Sequence, residues 1–98
     1  MKFAVIFEDD EAHQEVRPIY MKQHLAFLLR NAEQILMAGP ILHSETGAGG
    51  GGLWIVDAGE ADEVRRLIED DPFFPTGLRK EIKIFSWRTV FENGEVKL

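Results

Sequence analysis

Three features of this 98-residue sequence predict an α+β fold. Four short runs rich in Val, Ile, Phe and Trp read as strands, and two segments with apolar residues three and four apart read as helices. They fall in the order strand, helix, strand, strand, helix, strand. That is the split βαβ, or ferredoxin-like, pattern: an antiparallel sheet with helices on one face, in one domain over residues 1–98. A looser α+β meander is the alternative at this length.

The first strand is the apolar run Phe3–Phe7. The acidic, polar stretch Glu8–His13 reads as a loop. Arg17-Pro18 suits a helix start, because proline's missing N–H costs nothing in the first turn. Helical spacing continues to about Ala32, with Met21, Leu25, Leu28, Leu29 and Ala32 on one face. Ile35–Leu42 is the second strand. Pro40 within it cannot donate to a ladder, which predicts an edge, a bulge or a strand end there. Gly47–Gly52 is expected to be a flexible hairpin loop, and it could serve as a mobile lid. Leu53–Asp57 is the third strand. Glu60–Asp70 is the second helix, with Ala61, Val64, Leu67 and Ile68 inward and acids complementing the dipole of its first turn. Asp71-Pro72 ends it, since a residue before proline disfavours the α region. Glu81–Arg88 is the fourth strand, and Asn93-Gly94 signals a closing hairpin.

The composition is that of a soluble globular protein, 45% apolar and 29% charged, with a net charge of −6. That charge argues against nucleic acid or an anionic membrane as a partner. No apolar run approaches the length of a membrane span, and a cytoplasmic location is expected. Without cysteine there is no disulfide, thiolate zinc site or cysteine nucleophile.

Two helices cover one face of a four-stranded sheet, and the other face should then read polar. These strands are apolar on both sides. Phe3, Val5 and Phe7 oppose Ala4 and Ile6, Leu53 and Ile55 oppose Trp54 and Val56, and Ile82 and Ile84 oppose Phe85 and Trp87. A second copy of the chain is the simplest cover, so a homodimer or larger self-assembly is expected. A monomer with an open ligand-binding face is the alternative. Trp54 and Trp87 are expected at the interface.

His24 carries the chemistry most readily. It lies on a helix line with Tyr20 and Phe27, and imidazole suits general acid or base work near neutrality. The bland alternative is a half-buried histidine bonded to a backbone carbonyl. Asp71 sits at a helix end that is already negative. Orienting an imidazole would give it a reason to be there, and a simple Asx turn is the other reading. Gly47–Gly52 matches G-x-G-x-x-G but leads into a strand rather than a helix, so no dinucleotide site follows. No metal-ligand spacing and no nucleophile elbow is present. Neither metal nor cofactor is expected.

Arg17, His24-Leu25-Ala26-Phe27-Leu28, Ala38-Gly39-Pro40-Ile41 and Asp71-Pro72-Phe73, in this order, resemble the YCII-related (YciI-like) family. The resemblance spans nearly the whole chain, from the first strand to the fourth. It implies a ferredoxin-like unit that pairs into a dimeric α+β barrel, similar to muconolactone isomerase. It also implies a His–Asp pair in a pocket, which by motif is His24 with Asp71. Arg17 has the spacing of a recurring family arginine. Many members carry Arg-Pro just before the histidine, whereas here Lys22-Gln23 stand there and Arg17-Pro18 lies upstream. The activities linked to the family concern hydroxylated, sometimes chlorinated, aromatic rings.

Two functions are therefore carried forward. One is a proton-transfer or elimination enzyme, dehydrochlorinase- or isomerase-like, acting on a small hydroxylated ring or carbonyl compound. His24 would be its acid or base, and Asp71 would hold the tautomer. Arg17 would meet a substrate oxyanion, Gly39 and Pro40 would form the pocket wall, and Tyr20 and Phe73 would pack nearby. The other is a non-catalytic dimeric module that binds a small molecule or a protein partner.

Overall fold

A computed structural model describes residues 1–98. Its elements are β1 (Lys2–Asp9), α1 (Val16–Arg30), β2 (Ile35–Leu42), β3 (Gly49–Asp57), α2 (Ala61–Asp70), β4 (Arg79–Trp87) and a closing ribbon of β5 (Phe91–Glu92) and β6 (Glu95–Val96). One 3₁₀ turn, Glu11–His13, precedes α1, and another, Phe74–Thr76, precedes β4. The main sheet runs β2-β3-β1-β4 with every neighbouring pair antiparallel. This is the ferredoxin-like arrangement of two helices on an antiparallel sheet.

The inward face carries Phe3, Val5 and Phe7 of β1 and Trp54 and Val56 of β3. Phe27 of α1 and Val64, Leu67 and Ile68 of α2 close over them. Burying side chains of this kind contributes roughly 1.5–3 kcal/mol each. Strand alternation alone dictates this face, because β side chains repeat every second residue. No helix is long and apolar enough to cross a membrane.

Pro40 lies on the edge strand β2, and the β2–β3 register shifts between Pro40 and Leu42. At the closing ribbon, Asn93 (φ 51°) and Gly94 (φ 81°) both take left-handed conformations, as a two-residue hairpin turn of this hand requires.

Three expectations need correction. Gly49–Gly52 belong to β3 rather than to a loop, and the turn is confined to His43–Ala48, closed by His43 N–H to Ala48 O at 2.8 Å. Gly51 (φ 101°) passes so close to β1 that a Cβ would stand 1.8 Å from the Phe7 carbonyl oxygen. The glycines thus permit a close approach of strands, and a lid is not what they form. Second, α1 is turned away from the expected face. His24 and Phe27 are its buried residues, while Leu25 and Leu29 are exposed. Apolar residues surround this helix, so periodicity gave no single answer. Third, Trp54 is buried under the helices. Only Trp87 remains exposed on the outer side.

Candidate active site

Asp71 leaves α2 in an extended conformation (φ −67°, ψ 130°), as the following Pro72 demands. Its side chain turns back under the helix, where Oδ1 accepts the Phe73 N–H at 3.1 Å. The same oxygen lies 2.8 Å from His24 Nδ1. The Asx turn and the imidazole contact, alternatives at the level of sequence, are therefore made by one oxygen. Asp71 is 2% exposed and His24 7%. The other ring nitrogen, Nε2, has no partner in the chain and is not sealed from solvent. Phe73 packs on the imidazole at 4.5 Å between ring centroids, and Trp54 lies at 6.5 Å.

A cavity of about 110 Å³ opens beside the imidazole, walled by Arg17, Met21, Gly39, Pro40, Trp54 and Arg79 among others. Arg17, Met21 and Pro40 also line an outer vestibule of about 660 Å³, floored by Gly49–Gly51 and edged by Glu8, Asp9 and Glu11. The α1 residues on the cavity, Arg17, Met21, His24, Leu25 and Leu28, form one stripe at spacings of three and four. Tyr20 lies on the other flank of His24. It is exposed and lines neither space, so it does not join the site as expected.

Two residues not singled out from the sequence complete the cluster. Arg79 Nη1 donates to Asp9 Oδ1 at 3.1 Å, and its Nη2 lies 3.8 Å from Asp71 Oδ2. Arg17 grips the other oxygen of Asp9 through both Nε and Nη2. The Arg79 side chain is 4% exposed, and its guanidinium stacks 4.1 Å above the Phe7 ring. Burial pushes its pKa below the usual guanidinium range, and the charges of Asp9 and Asp71 oppose that shift. A guanidinium nonetheless stays protonated in a protein. The cluster runs Arg17, Asp9, Arg79, Asp71, His24, with two cations and two carboxylates in alternation.

Gly52 makes room for this arrangement, since a Cβ there would meet Arg79 Nη1 at 3.2 Å. No group of three or more His, Asp or Glu side chains gathers as a metal site. The arrangement can accept a proton at Nε2 from a compact molecule in the cavity, with fixed positive charge close by.

A family model, the YCII-related domain, matches residues 1–88. Among solved structures, the chain is similar to 5-chloro-2-hydroxyhydroquinone dehydrochlorinase from Burkholderia phenoliruptrix AC1100, solved in complex with 2,5-dihydroxybenzoquinone. The two share 30% identity with a TM-score of 0.79, over 90% of this chain and 94% of that one. No curated protein matches the chain by sequence.

Proposed function

This chain belongs to the YCII-related family, and from that premise we propose that it is an enzyme of proton transfer or elimination on a small hydroxylated ring. The observation that carries the reading is the buried His24–Asp71 contact at 2.8 Å, made through Nδ1 by a histidine that lines a cavity. A carboxylate on Nδ1 selects the tautomer whose Nε2 lone pair is free, the geometry of a general base. His24 takes a ring-hydroxyl proton and the chlorine-bearing ring carbon gains one, giving the keto tautomer with an sp3 CHCl carbon. Loss of a second hydroxyl proton then forms a carbonyl and a new ring double bond as chloride leaves, a net loss of HCl that yields a hydroxybenzoquinone. Arg79 and Arg17, both on the cavity wall, stabilise the oxyanion that develops. The likeness to a dehydrochlorinase supports this chemistry.

The working unit in this proposal is a homodimer. The outer sheet face presents Met37, Phe85 and Trp87, exposed, with Ile6 and Leu53 partly exposed beside them, placed together by strand register. Monomers rarely expose an apolar patch of that extent.

The test is chloride release from 5-chloro-2-hydroxyhydroquinone and related chlorinated hydroxyquinols, with wild type and His24→Gln. Release by wild type that falls by about 10²–10⁴ in the variant supports the reading, that being the usual contribution of a positioned acid or base. If no compound is turned over but one binds with equal affinity to both proteins, the non-catalytic binding module replaces it.

A further inference from the structure

We propose that Arg79 is a positioning residue that sets the tautomer of His24 by keeping Asp71 ionised. Asp71 is 2% exposed, and its Oδ1 is spent on two hydrogen bonds, to Phe73 N–H and His24 Nδ1. Neither partner brings a formal charge when the imidazole is neutral. A carboxylate so deeply buried is costly unless a cation accompanies it. The cation beside Asp71 is the Arg79 guanidinium, 3.8 Å from Oδ2, a distance for an ion pair rather than a direct hydrogen bond.

Arg79 is held for this task from three sides. Asp9 binds its Nη1, Phe7 lies beneath its plane, and Gly52 leaves space for it. Arg17 shares the charge of Asp9, so Arg79 is not neutralised by Asp9 alone. An ionised Asp71 can only accept, which places the imidazole proton on Nδ1 and leaves Nε2 as the base.

With the guanidinium removed, the pair gains one proton from solvent. The Nδ1 proton ends on Asp71 and the solvent proton on Nε2. His24 and Asp71 then remain in contact, but the atom facing the cavity is a donor and no longer a base. This inference deepens the reading of His24 as a base, and its readout is independent of turnover. An inactive wild type with its proton on Nδ1 would count against the enzyme and not against Arg79.

The experiment is NMR of ¹⁵N-histidine-labelled protein, in which couplings from the ring protons identify the protonated nitrogen of His24. Wild type and Arg79→Lys, which keeps the charge, are expected to show Nδ1–H. Arg79→Met, which keeps an aliphatic stem on Phe7, is expected to show Nε2–H. A folded Arg79→Met that retains Nδ1–H overturns the proposal. Should that variant fail to fold, Asp9→Asn decides. There the guanidinium has Asp71 as its remaining carboxylate partner, so Nδ1–H must persist, and its loss overturns the proposal.

Discussion

Asp9 faces Arg79 across β1 and β4 because the strand pair slips by one residue. Phe7 opposes Ile82 and Glu8 opposes Glu81, but Asp9 opposes Arg79 and skips Lys80. The bulge turns Arg79 inward and leaves Lys80 in solvent. Removing Asp9 therefore takes from the buried Arg79 its hydrogen-bonded carboxylate and leaves it only Asp71, at 3.8 Å. Asp9→Ala is expected to cost about 3–5 kcal/mol, as breaking a buried ion pair does. Lys80→Ala should stay within about 0.5 kcal/mol. Urea unfolding of both variants measures the difference.

The glycines of β3 are expected to respond unequally to alanine. Gly51→Ala combines a left-handed φ with a Cβ 1.8 Å from a backbone oxygen, so it should destabilise by about 3 kcal/mol or more. Gly52→Ala presses on Arg79 Nη1 at 3.2 Å and should cost about 1–3 kcal/mol. Gly49, whose Cβ would meet nothing, should tolerate the change within about 0.5 kcal/mol. Thermal or urea denaturation ranks the three.

The outer sheet face gives a prediction for assembly. Phe85 is half-exposed in the isolated chain, on the row of Ala4 and Ile55. Phe85→Asp should weaken a dimer by at least about tenfold, from the roughly 1.5–3 kcal/mol that burying such a ring contributes. Sedimentation equilibrium of wild type and variant reads this directly.

Asp10 gives a pH signature. It caps the 3₁₀ turn by accepting the Ala12 N–H at 2.9 Å, and chiefly that bond holds its pKa below the usual carboxylate value. A lowered folded pKa means that the ionised form stabilises the fold. The contribution is complete above the ordinary aspartate pKa, and it fades as pH falls through the lower folded value. The stability advantage of wild type over Asp10→Asn should therefore be present at neutrality and shrink in acid. Denaturation at a series of pH values checks it.

How far the sequence could be read follows from which patterns are local. The alternation in β1 and the 3.6-residue period of α2 fix their buried faces, so the element order and the sheet followed from them. The α1 periodicity failed because Ile19, Leu25 and Leu29 are apolar yet exposed. The placement of His24 and Asp71 was visible through a resemblance, since nothing local ties residues 47 positions apart. Arg79 and Asp9 were invisible for a physical reason. Alternation counted back from Ile82 puts Lys80 inward and Arg79 outward, and only the bulge reverses that. Asp9 sat within an acidic run that reads as solvated loop.

The central claim, that His24 Nε2 serves the cavity as a base, is tested most directly by titrating ¹⁵N-histidine-labelled protein with 2,5-dihydroxybenzoquinone. His13 and His43, on the turn before α1 and the β2–β3 turn, are internal controls. The account predicts that His24 Nε2 is perturbed on binding while His13 and His43 are not, and that Asp71→Asn abolishes the response. A compound that binds without disturbing His24 Nε2 would contradict it.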